Sequence, residues 1–252
     1  MSYRFAELKL TLSEEQLLQF YQFPTEACAN LEVLSLLIPH PIALDEMSVD
    51  FHPDKYPRLK SLTIRRKGGL ALRISVIPWR QLTTLCLHPV CSSQLNMLRQ
   101  CVSLEECDLG IKWDSIDGVG EIHLPCLLRF RFAGNISNLH VFRFPNPEEF
   151  EGDRLYMQFS EDDQKLMLEH FNLPRIRVLK IPDWRTRLDF GALFRLAPSL
   201  ESVSLPEPND ETPMQELAAG ALGPSLHSIE TQFDWTCEQA LSYFCRDTLG
   251  IC

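Results

Sequence analysis

The stretch Leu82-Thr83-Thr84-Leu85-Cys86-Leu87 follows the pattern L-x-x-L-x-L, which returns throughout the chain. Three further clear copies are LEVLSL at 31–36, LKSLTI at 59–64 and LEECDL at 104–109. Looser copies are LLRFRF at 127–132, LHVFRF at 139–144, IRVLKI at 176–181, LESVSL at 200–205 and LHSIET at 226–231. The starts at residues 31, 59, 82, 104 and 127 lie 28, 23, 22 and 23 residues apart, so the pattern is a true repeat.

The last four residues of each copy alternate between apolar and variable types, which is typical of a short strand with one buried face. One such strand cannot bury its own leucines, so neighbouring repeats must stack and share a core. A period of 20 to 29 residues with this motif is typical of leucine-rich repeats. We therefore predict an α/β fold, a leucine-rich-repeat solenoid wound as a right-handed β-α superhelix. Short parallel strands are expected on its concave face, with helices or irregular turns outside.

Segments between the strands show the spacing of helices that return the chain. Residues 93–99 place Leu95 and Leu98 on one helical face before LEECDL, and residues 190–196 have the same spacing before LESVSL. Three repeats also share a helix-exit pattern, at 27–32, 100–105 and 196–201. We expect a helical turn ahead of each of these strands.

The repeats indicate a single domain over residues 1–252. An opening unit at 1–30 contains Ser13 and Gln16 in a capping-box arrangement, and regular repeats follow at 31–135. Because Pro145 and Pro147 exclude a central strand, residues 145–165 are predicted to form an irregular acidic excursion. Further predictions are repeats at 176–231 and a C-terminal capping helix within 232–252, opened by a capping box at 236–239.

Composition narrows the class of protein. The formal net charge of −10, from 24 basic and 34 acidic residues, argues against nucleic acid and against an anionic membrane surface as partners. The chain has no long apolar run and no secretory signal at its start, and its nine cysteines are an odd number. These features predict an intracellular location, in the cytoplasm or the nucleus.

Motifs of known catalytic or cofactor sites are missing from the sequence. It contains no G-x-S-x-G, H-E-x-x-H, G-x-x-x-x-G-K-[ST] or C-x-x-C, and no G-x-G-x-x-G follows a strand. The spacings of the cysteines also differ from those of zinc pairs. The sequence therefore predicts no enzyme, no cofactor and no metal site, with an improvised catalytic site in 145–165 as the alternative.

The concave face is the predicted binding surface, because the third and fifth residues of each motif point outward from the sheet. Seven of its charged residues, including Arg177 at a second position, are the candidate partner-binding residues: Glu106, Asp108, Arg129, Arg131, Arg143, Arg177 and Lys180. Two interpretations remain open. The basic group binds an acidic or phosphorylated protein partner, or Glu106 and Asp108 pair with Arg129 and Arg131 on the adjacent strand.

Three segments carry a family resemblance: 77–87 (IPWRQLTTLCL), 98–107 (LRQCVSLEEC) and 124–130 (LPCLLRF). They resemble fungal F-box leucine-rich-repeat proteins, and the resemblance extends from about residue 25 to 232. It implies that the repeats bind a substrate for ubiquitination, while an N-terminal F-box binds the adaptor of a cullin-type ligase. Residues 1–30 lack the L-P-x-E-hydrophobic signature, so we expect the adaptor as a partner only if an F-box exists outside this chain. A stand-alone scaffold or regulator is the alternative.

Overall fold

The alternating segments form strands in a computed structural model, which describes residues 5–39, 48–67, 73–111, 116, 118–156, 173–181, 190–205 and 223–231. In chain order the strands are β1 (Glu7–Thr11), β2 (Val33–Ile38), β3 (Ser48–Asp50), β4 (Ser61–Arg66), β5 (Arg73–Val76), β6 (Thr84–Val90), β7 (Glu106–Ile111), β8 (Ile122–His123), β9 (Arg129–Asn135), β10 (Phe142–Arg143), β11 (Glu149–Tyr156), β12 (Val178–Lys180), β13 (Ser202–Leu205) and β14 (Ser228–Thr231). Ten of them form one open sheet in the order β1-β2-β4-β6-β7-β9-β11-β12-β13-β14. All of its neighbouring strands are parallel, which confirms the predicted parallel α/β sheet.

One face of the ten-stranded sheet is the core. In β2, Leu34, Leu36 and Ile38 are buried while the residues between them remain partly exposed. The register aligns the central apolar residue of every motif in one row across the sheet: Leu8, Leu34, Leu62, Leu85, Cys107, Phe130, Phe150, Leu179, Val203 and Ile229. The core is therefore continuous from one strand to the next, as stacking of repeats requires.

A backbone hydrogen-bond pattern recurs at each of the nine junctions between these ten strands. At each junction one backbone carbonyl oxygen accepts hydrogen bonds from two successive N–H groups. These N–H groups lie at the start of the next strand in the sheet, at 2.8–3.1 Å from the oxygen. The accepting residues are Ala6, Glu32, Lys60, Thr83, Glu105, Leu128, Glu148, Arg177 and Glu201. The same local geometry thus returns at every repeat, although the connecting segments differ in length.

Four α-helices lie in the described part of the chain: α1 (Glu14–Tyr21), α2 (Thr25–Cys28), α3 (Ser92–Met97) and α4 (Phe190–Leu196). The predicted helices before LEECDL and LESVSL are confirmed, and Leu95 and Leu98 are fully buried. Short 3-10 helices occupy Trp79–Gln81, Leu98–Gln100, Ile136–Val141 and Leu173–Arg175. No helix among the described residues combines the length and apolarity needed to cross a membrane.

The segment LHVFRF does not form a strand of the ten-stranded sheet, so that copy of the motif was wrongly predicted. Its residues Phe142 and Arg143 form β10, which pairs with β8 in a separate two-stranded sheet. Phe142 and Phe144 pack against Phe130 with ring centroids 5.3 and 4.9 Å apart. Because Phe130 points into the core, β10 lies across the core from the main sheet. A second small sheet pairs β3 with β5.

The predicted excursion at 145–165 is also wrong over its first half. Residues 149–156 are β11, a strand in the interior of the main sheet between β9 and β12. Pro145 and Pro147 precede this strand and so remove none of its hydrogen bonds. Residues 157–165 and the predicted capping helix in 232–252 lie outside the described residues.

Candidate functional site

The second face of the ten-stranded sheet, called the open face below, carries the polar side chains of the motifs. Its residues alternate with the buried ones along each strand and are mostly half-buried or exposed. In its middle is a hollow of about 240 Å³, lined by residues of β6, β7, β9 and β11. The polar members of its lining are Thr84, Cys86, Glu106, Asp108, Arg129, Arg131, Glu149 and Glu151. The hollow is the concave feature that a ligand or partner side chain can enter.

Charges on the open face alternate in sign from strand to strand. Arg129 on β9 pairs with Glu106 on β7, with Nη1 and Oε1 2.7 Å apart. Arg131 lies between two carboxylates, 2.7 Å from Glu151 and 4.0 Å from Asp108. The predicted arginines are therefore paired with carboxylates rather than forming a purely basic stripe, which agrees with the second interpretation of the sequence. Half-exposed pairs of this kind each contribute about 0.2–1 kcal/mol.

The other two predicted cations on this sheet are also paired. Lys180 on β12 contacts Glu149 at 3.3 Å, so the alternation continues one strand further. Arg177 lies directly before β12 and donates two hydrogen bonds to Glu201, at 2.7 and 2.8 Å. It is not among the residues that line the hollow.

Arg143 does not lie on the open face, which corrects its predicted placement. It belongs to β10, across the core, where its Nε lies 2.6 Å from Glu121 Oε1. Its Nη1 also donates to the carbonyl oxygens of His140 and Phe142. A ligand in the hollow cannot contact this guanidinium.

Asp108 is the centre of the densest polar cluster on the open face. Its carboxylate accepts from Arg65 Nη2 at 2.9 Å and from the Cys86 thiol at 3.4 Å through the same oxygen, Oδ2. Its other oxygen, Oδ1, lies 2.5 Å from His88 Nε2. The Asp108 side chain is only 15% exposed, whereas that of Arg65 is 51% exposed. A largely buried carboxylate thus has three close neighbours, of which Arg65 is the most exposed, and Arg131 lies further away at 4.0 Å.

The protonation of this cluster follows from its burial and its charges. Burial alone would raise the pKa of the Asp108 carboxyl, but hydrogen bonds from His88 and Cys86 and the charges of His88 and Arg65 outweigh it, so this pKa lies below its ordinary value. Burial, aided by the Asp108 charge, raises the pKa of the Cys86 thiol to about 11.

Cys86, His88 and Asp108 do not have the arrangement of a catalytic triad. A nucleophilic thiol needs a lowered pKa and a hydrogen bond to its base. Here the Cys86 sulfur contacts Asp108 and Arg65, while the imidazole of His88 is hydrogen-bonded to Asp108. The geometry does not support nucleophilic catalysis.

His88 reaches Asp108 because the neighbouring strand offers room for its ring. A Cβ added to Gly110 would lie 2.6 Å from His88 Nδ1 and 2.9 Å from Cγ. The imidazole therefore lies directly over the backbone of β7. Only glycine permits this placement without a shift of the ring.

Four contributors to the open face escaped the sequence analysis: Arg65, His88, Glu149 and Glu151. Arg65 and His88 lie two residues beyond the fifth motif position, so extending the alternation by one step would have found both. Glu149 and Glu151 belong to the strand whose motif begins at Pro147 instead of leucine. Its start lies 20 residues after Leu127 and 29 before Ile176, and both spacings are within the 20 to 29 residues typical of leucine-rich repeats.

Comparison with known proteins assigns no family to the chain. No protein-family model matches it, and none of the curated proteins is significantly similar to it.

Proposed function

We propose that this chain is a leucine-rich-repeat solenoid that acts as a non-catalytic protein-interaction module, with its partner bound on the open face. The repeated backbone junction and the recurrence of the motif every 20 to 29 residues support the repeat architecture. The proposed interaction rests on a single observation: the hollow, where β7, β9 and β11 present partly exposed charged side chains around one depression that β6 also lines.

The partner segment carries both signs of charge under this proposal. Arg129 and Arg131 already have carboxylate partners, so a purely acidic ligand must displace Glu106 or Glu151 from them. A segment with one basic and one acidic side chain can pair with both rows of charges and leaves fewer groups unpaired. A phosphorylated or wholly acidic partner is the second candidate, because guanidinium groups bind phosphate in two-point geometry.

Recognition of substrates for a cullin-type ubiquitin ligase is the role we infer first, from the resemblance to F-box repeat proteins. This role depends on an F-box outside these residues. A stand-alone scaffold or regulator uses the same open face without the ligase.

The test compares quantitative affinity capture from cell extract by four tagged forms of the chain. Two double variants change the hollow: Arg129→Ser with Arg131→Ser, and Glu149→Ser with Glu151→Ser. A matched control replaces another exposed ion pair, Glu32→Ser with Lys60→Ser, whose charged atoms lie 3.2 Å apart outside the hollow. All variants are expected to keep nearly the wild-type melting temperature, because such pairs contribute little.

A specific partner must be lost from both hollow variants and retained by the control if the mixed-charge proposal holds. If only the arginine variant fails to capture the partner, the partner is the acidic or phosphorylated one. Equal capture by all four forms removes the hollow as the binding site. A cullin and its adaptor among the captured proteins support the ligase role. A specific partner whose ubiquitination does not depend on this chain supports the scaffold.

A further inference from the structure

Cys86, His88 and Asp108 bring three metal-binding atoms together at one end of the hollow. A sulfur, an imidazole nitrogen and a carboxylate oxygen all lie within 4.8 Å of one another, the only such group among the described residues. Cys86 and His88 are two residues apart on β6 and therefore share a face, and the sheet register places Asp108 opposite Cys86. We propose that these three side chains form a Zn²⁺ site with one open coordination position. This proposal does not depend on the proposed function.

The separations fit a tetrahedral ion after a small adjustment. Zinc bonds of about 2.0 Å to nitrogen and oxygen and about 2.3 Å to sulfur place ligand atoms about 3.3–3.5 Å apart. Cys86 Sγ and Asp108 Oδ2 are already 3.4 Å apart. The ligand nitrogen of His88 lies within 4.8 Å of the other two ligand atoms, so each of its separations has to change by at most about 1.5 Å. The His88 side chain is 27% exposed and can rotate by that amount.

The ligand set selects the class of metal. Sulfur and imidazole nitrogen are poor ligands for Ca²⁺ and Mg²⁺, which prefer oxygen, whereas a mixed set of sulfur, nitrogen and oxygen suits Zn²⁺. Three protein ligands leave a fourth position for water or for a donor atom of a bound partner. Binding requires loss of the thiol proton of Cys86, and a coordinated dication stabilises the thiolate.

Arg65 contacts two of the atoms that the zinc ion would bind. Its guanidinium is 2.9 Å from Asp108 Oδ2 through Nη2, and 3.3 Å from Cys86 Sγ through Nε. The same oxygen and sulfur are the ones a zinc ion would bind. Because Arg65 is half exposed, it can move into solvent when the ion enters. Arg65 therefore competes with the metal, and its removal should strengthen binding.

Gly110 supports the site without supplying a ligand. The His88 ring lies over this residue, with no space for a Cβ. The backbone φ of Gly110 is not among the positive values, so alanine can adopt its conformation. Gly110→Ala thus displaces the imidazole while leaving all three ligands in the sequence.

The experiment titrates the full chain with Co²⁺, whose absorption reports thiolate ligands and tetrahedral geometry, and then displaces Co²⁺ with Zn²⁺. Wild type should bind one equivalent with a thiolate-to-cobalt charge-transfer band that Zn²⁺ abolishes. Cys86→Ser should lose this band. His88→Gln, Asp108→Asn and Gly110→Ala should each bind at least about tenfold more weakly, and Arg65→Gln several-fold more tightly.

Two matched controls use a cysteine and a histidine outside the site. Cys126→Ser changes an exposed thiol, and His123→Gln changes an imidazole that pairs with Glu121. Both should bind Co²⁺ like wild type. Thermal melts with and without Zn²⁺ show whether each variant folds, and only forms with an intact site should gain stability from the ion. The absence of saturable binding in wild type would overturn the proposal, as would a charge-transfer band that persists in Cys86→Ser.

Discussion

At the scale of single residues, Gly134 in β9 is a position that only glycine can occupy without strain. Its backbone φ is +149°, a value that side-chain-bearing residues rarely adopt. A Cβ there would also lie 2.6 Å from the carbonyl oxygen of Ile111 on β7. Both the conformation and the space require glycine where these two neighbouring strands approach.

We predict that Gly134→Ala destabilises the fold by at least about 1–3 kcal/mol, the range for a strained backbone, with the steric contact adding to it. Gly118→Ala is the matched control, because Gly118 also has a positive φ, +79°, but nothing within 4 Å of its added Cβ. Urea denaturation of both variants measures the difference. A Gly118 variant that is as destabilised as the Gly134 variant would refute the steric part of this prediction.

The charged side chains of the open face also show what single residues contribute. The chain has a net charge of −10, yet carboxylates and cations on this face alternate between adjacent strands and pair. Arg129 and Arg131 were correctly identified from the sequence as surface residues. Arg129 pairs with Glu106, as the second interpretation of the sequence predicted. The near partner of Arg131 is instead Glu151, which belongs to a strand that the sequence analysis did not assign.

At the scale of elements, α1 shows how a short helix is fixed at its start. Ser13 Oγ accepts from the Gln16 N–H at 3.4 Å, and Gln16 Oε1 accepts from the Ser13 N–H at 2.9 Å. This is the predicted capping box, and it is confirmed. The helix buries Leu17 and Phe20 in the core, so its start determines where those side chains enter it.

Ser13→Ala should lower the free energy of unfolding by about 1 kcal/mol, because the helix start loses a hydrogen-bond acceptor. Ser13→Asp keeps an acceptor and adds a charge that the helix dipole favours, so this variant should remain close to wild type. Chemical denaturation gives both values. Equal stability of wild type and the alanine variant would mean that the cap contributes nothing here.

Strand β11 is an element that the sequence pattern did not predict. Its motif begins with Pro147 and ends with Gly152 in place of two leucines, and its apolar content is reduced to Phe150. Phe150 nevertheless occupies the same row as Phe130 of β9, and the two rings lie 6.0 Å apart. A single well-placed aromatic side chain, together with strands on both sides, is sufficient to place this segment in the sheet.

At the scale of the whole molecule, stability depends on contacts between neighbouring strands. Leu85 is fully buried in the row that runs across the sheet and aligns with Leu62 and Cys107. In the proposed repeat architecture, a substitution at Leu85 disturbs the junctions of β6 with β4 and β7 directly, and the other junctions only through these two.

We predict that Leu85→Asp unfolds the central strands, since a buried unpaired carboxylate costs more than about 4 kcal/mol. Hydrogen exchange should show loss of protection in β4, β6 and β7 before the outer strands of the sheet. Thr63→Asp, which places the same charge on the open face, should leave exchange unchanged. Uniform loss of protection across all ten strands would instead indicate that the sheet unfolds as one cooperative unit.

The sequence by itself determined the regular strands, their buried residues, the helices before β7 and β13 and the cap of α1. These features arise from local alternation, helical spacing and capping, which are visible within a few residues. Only the tertiary structure decided that 149–156 rather than LHVFRF joins the main sheet. It also decided that Cys86, His88 and Asp108 meet beside Arg65. The reason is physical: such contacts join residues about 20 positions apart, and strand order and register, which local pattern does not specify, determine which of them become neighbours.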